Sequence, residues 1–342
     1  MGVSLTQFVS GRPLKLEELK GKIIVIDTFN FLYQFLSSLR GPDGNLLTTT
    51  DGRVTSHLVG LLSRSTKLMQ LGIKCAFVFD GEAPALKEKE RMRRRKIKEE
   101  AQVAYDQAVA EENVEDMRKF ATRTTKLTPE MVEDAKKLVE ALGLPMIQAP
   151  SEGEAQAAHM VKVGDADFVV SQDTDALLFG APRVIKNLSI LGKKKKLNKL
   201  SNVLVEPELV TLEEVVNALG IDREKLIILS MLVGTDFNVG GIKGIGPKRA
   251  LALVKQHDDY NQLFLEVNWG DHFDYDWHDV FELFTDMPFE KDYNLTWKPV
   301  NAPLLTELLS SYEFSQQRID GALEKLEKAT DSLAQKGLGD FF

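Results

Sequence analysis

The chain is 342 residues long, 27% charged, with one cysteine and a formal net charge of −8. That length can bury a large core as one α/β domain with appendages or as two domains. A lone cysteine excludes a disulfide framework within the chain and fits a reducing interior, and no apolar run approaches the length that spans a membrane.

The opening residues lack a signal-peptide layout, and although Gly2 satisfies the loose myristoylation pattern, nothing else argues for lipid. A soluble, intracellular protein is expected. Its acidic total looks wrong for a partner of nucleic acid until the charge is mapped. Residues 258–298 hold eleven Asp and Glu against Lys291 and Lys298, which leaves the rest of the chain at +1. The positive charge is clustered: eight Lys and Arg lie between Lys87 and Lys98, and five lysines between Lys193 and Lys199. Charge asymmetry, more than net charge, decides where a polyanion docks.

The predicted elements alternate strand and helix. Residues 23–26 read as a strand and 28–39 as a helix. A turn-rich loop follows, with Gly41-Pro42-Asp43-Gly44 and Asp51-Gly52-Arg53. A helix at 56–71 leads to a second strand ending at Phe79, which completes one βαβ unit with a right-handed parallel crossover. Residues 87–126 are helical and highly charged with few core-type side chains, so they should project as an arch or lid. A helix at 129–142 has Thr128 as its N-cap and Pro129 at its first position. Ser151-Glu152-Gly153-Glu154 opens the next helix and also spells a capping box. A strand over 168–172 follows, then apolar helical residues 224–233 and a helix at 249–257. Near the end, Ile319, Leu323, Leu326 and Leu333 share one face of an amphipathic helix that stops just before Gln335.

Seven carboxylates stand where these apolar segments end or begin. Asp27 and Asp80 close the first two strands, Asp173 and Asp175 follow the strand at 168–172, Asp236 follows the apolar stretch 229–235, and Glu152 and Glu154 open a helix. Short β-branched and aromatic runs read as buried strands of a mostly parallel sheet flanked by helices, and ligand sites in such sheets form at the carboxyl ends of the strands. Any one of these acids can be an ordinary strand end or helix start; the full set is harder to dismiss. Gathered on one edge they repel one another unless cations sit among them. Hard divalent ions with oxygen ligands, Mg²⁺ or Mn²⁺, suit the donors, and two such ions are the usual apparatus for in-line attack on a phosphodiester. Asp173 and Asp175 lie on one side if their segment is extended. Glu152 and Glu154, two residues apart, can reach one site only from an irregular first turn.

A second signal is Gly240-Gly241-Ile242-Lys243-Gly244-Ile245-Gly246-Pro247-Lys248-Arg249-Ala250, between two helical stretches. Glycines let the backbone approach a phosphate, while N–H groups at the helix start and Lys248 or Arg249 supply positive potential. A dinucleotide fingerprint fails here, because the spacing is wrong and no strand precedes it. A helix–hairpin–helix that grips the DNA backbone without reading sequence fits better.

Through IIVIDTFNFLYQF, FVFDGEAPALK, APSEGEAQAA, SQDTDALLFG, LVGTDF and GIKGIGPKRA in order, the chain resembles the flap endonucleases of archaea and eukaryotes, structure-specific 5′-nucleases related to XPG. The resemblance runs nearly end to end. It implies a single nuclease domain over 1–330: an N-terminal part (1–86), a helical arch (87–126), an internal part (127–225), a helix–hairpin–helix region (226–257) and a C-terminal part (258–330). A clamp-binding tail (331–342) follows. It implies two Mg²⁺ ions held, directly or through water, by Asp27, Asp80, Glu152, Glu154, Asp173, Asp175 and Asp236. Lys87 and Arg94, which share a helix face two and four turns after Asp80, would contact the scissile phosphate and form the catalytic set with Asp173 and Asp175. Tyr33 matches an aromatic that stacks on a base beside the cut, against the alternative of an ordinary core tyrosine. Gly2, Gly244, Gly246, Lys248 and Arg249 fall among the DNA-binding positions, and Ile242 and Ile245 match carbonyls that hold K⁺. Thr50, Asp51 and Arg53 stand where eukaryotic members are more acidic.

The last eight residues, with Gln335, Leu338, Phe341 and Phe342, resemble the peptide that plugs into the sliding clamp of DNA replication, PCNA. The anchors have the spacing of a single helical turn. The implied protein is a monomer off the clamp, acting at the nucleoid, or in a nucleus if eukaryotic. Its expected activity is 5′ flap cleavage of branched DNA, with 5′–3′ exonuclease activity, in Okazaki fragment maturation and repair. A sibling 5′ exonuclease and a non-catalytic clamp-tethered scaffold are the alternatives, although every matched carboxylate is present.

Overall fold

In the computed structural model the described residues are 11–41, 44–111, 113, 116, 120, 124–190, 192–195 and 202–339. The chain forms two compact units, one of Lys15–Phe79, Arg94–Ile147 and Asp292–Phe342, the other of Met1–Leu14, Asp80–Arg93 and Gln148–Lys291. Among the described residues no helix is long and apolar enough to cross a membrane.

The first unit is built on the expected βαβ crossover. The strand Ile23–Asp27 runs parallel to Lys74–Phe79, Ile23 facing Lys74 and Asp27 facing Val78. Ile24, Val25, Ile26 and Cys75 to Phe79 are fully buried, as near-continuous apolar strands covered on both faces should be. The helix Ser56–Gln70 forms the crossover, and Gly60 is required within it: a Cβ there would stand 2.2 Å from the Phe35 ring. Thr128 caps the helix Pro129–Ala141, accepting from the Met131 amide at 3.4 Å, with proline at its start. Burial raises the pKa of the Cys75 thiol, so it behaves as a small hydrophobe.

The helix Glu88–Ala110 is exposed along most of its length, with Met92, Ile97 and Val103 facing solvent and Glu90, Ala101 and Ala108 buried. Its surface carries the ladders Glu88–Arg91, Glu90–Arg93 and Arg95–Glu99. Its far end is tied within the first unit, where Tyr105 donates to Asn45 at 2.6 Å.

In the second unit Phe168–Val170 runs parallel to Arg183–Lys186, which pairs antiparallel with Glu208–Thr211, itself antiparallel to Arg12–Pro13. The fold is α/β, with parallel pairs at the βαβ cores and antiparallel strands added beside one of them. Two sequence expectations are corrected. The strand expected to run to Gln172 ends at Val170, and Asp175 already belongs to the short helix Asp175–Leu178, so Asp173 and Asp175 do not lie on an extended segment. The C-terminal helix, Gln316–Gly339, continues past Gln335 instead of stopping before it.

His57 is fully buried in the crossover helix, and neither ring nitrogen has a hydrogen-bond partner; the nearest charge is Asp134 at 3.9 Å. Burial holds its pKa at about 4, against the ordinary 6.5, with only partial compensation from Asp134. Its folded value lies below its unfolded one, so the stability it contributes is complete above pH 6.5 and is lost as pH falls from 6.5 towards 4. The loss should approach ~3 kcal/mol at pH 4. Urea denaturation of the wild type and His57→Phe at pH 7, 5.5 and 4.5 should show the wild type losing ground as pH falls; parallel profiles would contradict this.

Candidate active site and nucleic-acid interface

The second unit gathers most of the predicted acids. Asp80 and Glu152 are brought together by a clip between two backbone segments. The Gly81 amide donates to the Ser151 carbonyl at 2.7 Å and the Glu82 amide to the Pro150 carbonyl at 3.1 Å. Ser151 Oγ donates to the Glu82 carbonyl at 2.8 Å, and Gln148 Nε2 to the Asp80 carbonyl at 2.8 Å. A Cβ on Gly81 would lie 2.2 Å from the Ala149 carbonyl oxygen, so only glycine permits this approach. The Asp80 carboxylate then accepts the Gly153 amide at 2.7 Å, at the first turn of the helix Gly153–Lys162.

Ser151 is thereby drawn into the clip and does not cap that helix. Glu152 is the N-cap residue, without a side-chain cap bond, and Glu154 sits in the first turn. The capping box spelled by the sequence does not form. Glu154 accepts instead from Ser171 Oγ at 2.8 Å, and the same hydroxyl accepts the Asp173 amide at 3.2 Å. Asp175 is buried at the start of its short helix.

Asp236 is aimed by a lock on the loop after the helix Arg223–Val233. Thr235 Oγ1 donates to Asn238 Oδ1 at 2.6 Å, and Asn238 Nδ2 donates to the Met231 carbonyl at 2.6 Å. Gly234 leaves the helix with φ of 112°, a conformation that favours glycine. Phe237 anchors the loop against Phe284, with ring centroids 5.1 Å apart. Gly81, Ser171 and Asn238 were all missed by sequence reasoning, because each acts through a partner distant in the fold or through a hydrogen bond that no periodicity encodes.

Lys87 joins these acids. Its ammonium lies 2.5 Å from Glu152 and 4.0 Å from Asp236. Burial alone would lower its pKa, but Glu152, Asp236 and Asp80 more than offset that and raise it. Asp80 is pushed up to about 6, first by burial and then by Glu152, with Lys87 and the Gly153 amide pulling the other way. The pKa of Asp80 thus stays raised even with that ammonium beside it, and crowded carboxylate donors of this kind fit hard divalent cations. Among the described residues no three acidic, histidine or cysteine side chains already close on a single point as a metal clasp. Mg²⁺ keeps several of its waters and is commonly bound through one or two carboxylates.

Other predicted residues lie in the first unit. Asp27 is buried and caps the helix Thr28–Ser38, accepting the Asn30 amide at 3.0 Å. Tyr33 is exposed, with the Lys98 ammonium 5.0 Å over its ring, so it is not a core tyrosine. Burial lowers the pKa of Lys98, as do the nearby cations Arg94 and Lys126, so Arg94 belongs to an electropositive cluster. Gly2, Phe341 and Phe342 lie outside the described residues; Gln335 and Leu338 fall in the helix Gln316–Gly339.

The glycine-rich segment is a helical hairpin within the second unit. The helices Arg223–Val233 and Pro247–Gln256 pack together. Gly241, at φ of 57°, is where the hairpin crosses its own helix end: a Cβ there would meet the Val233 carbonyl carbon at 2.3 Å. The Ile242 amide donates to the Leu232 carbonyl at 2.9 Å, and the side chains of Ile242 and Ile245 are buried. Lys243, Gly244, Gly246, Lys248 and Arg249 are exposed, and Gly246 provides no side-chain cap for the second helix.

Comparison with known proteins agrees with this chemistry. The XPG N-terminal domain matches residues 1–101 and the XPG I-region matches residues 143–236. Flap endonuclease 1 of Pyrococcus abyssi is 46% identical over 343 aligned residues, covering 100% of this chain and 98% of that protein. The Staphylothermus marinus flap endonuclease 1 is 43% identical, covering 99% and 98%. The solved structure of flap endonuclease-1 from Methanococcus jannaschii is similar with a TM-score of 0.75 at 38% identity, covering 97% of this chain and all of that one. The chain belongs to the flap endonuclease 1 family of XPG-related nucleases, hydrolases of the phosphodiester bond.

Proposed function

We propose that this protein cuts branched DNA at the base of a 5′ flap and leaves a ligatable nick, in Okazaki fragment maturation and repair at the nucleoid. The observation that carries this reading is the half-buried acidic group around Asp80, Glu152 and Asp236, with a lysine ammonium already among them. Asp27, Asp80, Glu152, Glu154, Asp173, Asp175 and Asp236 would hold two Mg²⁺ ions, with Mn²⁺ as a substitute. Bound there, the ions would supply the positive charge and the activation of water that in-line phosphodiester hydrolysis needs. Lys87 and Arg94 would bear on the scissile phosphate and offset charge as it develops, and Tyr33 would offer its exposed ring to a base. The hairpin would hold the duplex backbone through Gly244, Gly246, Lys248 and Arg249, with K⁺ at the carbonyls of Ile242 and Ile245. Gln335, Leu338, Phe341 and Phe342 would tether the enzyme to the sliding clamp.

Labelled flap, nick, bubble and blunt duplex substrates, each with and without Mg²⁺, test the reading. Cleavage confined to the flap base and dependent on metal is expected; equal turnover of blunt ends would favour a 5′ exonuclease, and binding without cleavage a scaffold.

Asp175→Asn keeps shape and removes a charged oxygen. Single-turnover cleavage should fall about a thousandfold or more, the equivalent of ~4 kcal/mol, while flap binding survives. Near-normal cleavage in Mg²⁺ would remove Asp175 from the ligand set. Lys248→Ala should weaken flap binding and make the plot of log affinity against log salt shallower by about one unit. An unchanged slope would take Lys248 off the backbone. Replacing Phe341 and Phe342 together with alanine should abolish clamp-stimulated cleavage and leave clamp-free cleavage intact. A matching loss of thermal stability would instead place the two rings in the protein's own core.

A further inference from the structure

We propose that Lys87 is a displaceable internal counter-cation: in the metal-free enzyme its ammonium occupies the acidic group between Glu152 and Asp236, and divalent ions must evict it to bind. The inference rests on the metal reading above and concerns the order of events at that site. The ammonium is 2.5 Å from Glu152 and 4.0 Å from Asp236. It is therefore turned toward acids that the metal reading assigns as ligands.

The backbone on which Lys87 stands explains how it can leave. It ends the 3-10 turn Ala85–Lys87, just before the mostly exposed helix Glu88–Ala110. The clip fixes the chain at Gly81 and Glu82 but makes no bond to residue 87, whose ammonium is held by its ion pairs. A lysine stem has four rotatable carbons, so the ammonium can swing without any change of backbone. A divalent cation carries twice its charge and would compete for the same oxygens, directly or through its waters. Once one is present, its repulsion of the ammonium offsets most of the attraction holding the ammonium inward. The released lysine is then available to an anion arriving at the same place. Loading of metal and arming of the phosphate contact become one event, and a phosphate that arrives before metal meets carboxylates whose lysine is already engaged.

The test measures binding, not turnover. Mn²⁺ is titrated calorimetrically into full-length, DNA-free wild type, Lys87→Met, Lys87→Ala and Lys162→Ala. The last removes a lysine elsewhere in the same unit and reports the effect of net charge alone. Both Lys87 variants should bind Mn²⁺ about three- to tenfold more tightly than wild type, while Lys162→Ala stays within about 1.5-fold, because exposed charges are screened over such distances. In parallel, wild type labelled with ¹⁵N-lysine is followed by NMR. The Lys87 ammonium, assigned by its absence in Lys87→Met, should give a protected signal without metal that disappears on adding Mg²⁺. Unchanged Mn²⁺ affinity in the Lys87 variants, or a Lys87 signal that persists at saturating Mg²⁺, overturns the inference and leaves the metal reading standing. Failure of the wild type to bind Mn²⁺ at all overturns both.

Discussion

Holding carboxylates together in a half-buried place is the constraint on which the second unit depends. Each carboxylate would rather be hydrated, and each worsens the position of its neighbour. Asp80 shows the conflict directly: burial and Glu152 push its pKa up to about 6. The chain meets this with local rigidity. Gly81 lets two backbone segments close on each other, the Gly153 amide points at Asp80, Ser171 donates to Glu154, and Asn238 ties down the loop that presents Asp236. None of these groups carries charge, and together they fix where the acids stand without neutralising them. A pocket neutralised by its own basic residues would have no use for a divalent ion, whereas one in which the pKa of Asp80 stays raised beside the Lys87 ammonium retains affinity for it.

The same unit shows why net charge misleads. Many acids of residues 258–298 are occupied with local structure. Asp259 caps the helix Tyr260–Glu266, accepting from the amides of Asn261 and Gln262. Asp276 and Asp279 form a capping box on the helix Trp277–Thr285, and carboxylates at helix starts are favoured by the macrodipole. Asp258 pairs with Lys225, and Asp274 with Lys89, which also lies over the Tyr275 ring at 5.2 Å. This negative charge belongs to caps and surface pairs. The exposed lysines and arginine of the hairpin, with backbone N–H groups beside them, are the part of the unit suited to a phosphate backbone.

Much of the frame was legible in the sequence. Continuous β-branched and aromatic runs marked the strands at Ile23–Asp27 and Lys74–Phe79, Thr128 with Pro129 marked a helix start, and Pro247 marked another. These are local signals, set by side-chain volume, capping and the fixed φ of proline, and they survive folding because nothing distant competes with them. Errors arose where something distant did. Ser151-x-x-Glu154 is a sound capping box in isolation, yet Ser151 donates to Glu82, 69 residues away in sequence, and Glu154 accepts from Ser171. Asp173 and Asp175 share one side only if their segment is extended; the chain instead leaves the strand after Val170 and starts a helix at Asp175. The carboxylates stand out in the sequence, whereas the uncharged groups that hold several of them in place, Gly81, Ser171 and Asn238, look there like ordinary loop and helix-end residues.

The identity of residue 87 follows from the same electrostatics. An arginine would carry the same charge, but its planar fork forms two parallel hydrogen bonds to a carboxylate and is pre-organised to do so. Placed beside Glu152 and Asp236, such a fork would bridge the acids and resist leaving, and the group would become a structural ion pair. A lysine ammonium is a compact point charge on a flexible stem, strongly attracted while the acids are unbalanced and indifferent in orientation once they are not. The residue that neutralises the site best is therefore not the one that serves it best. At this position a weaker, reorientable partner would allow one side chain first to stabilise a crowd of carboxylates and then, on the proposed reading, to meet the phosphate that those carboxylates, by themselves, would repel.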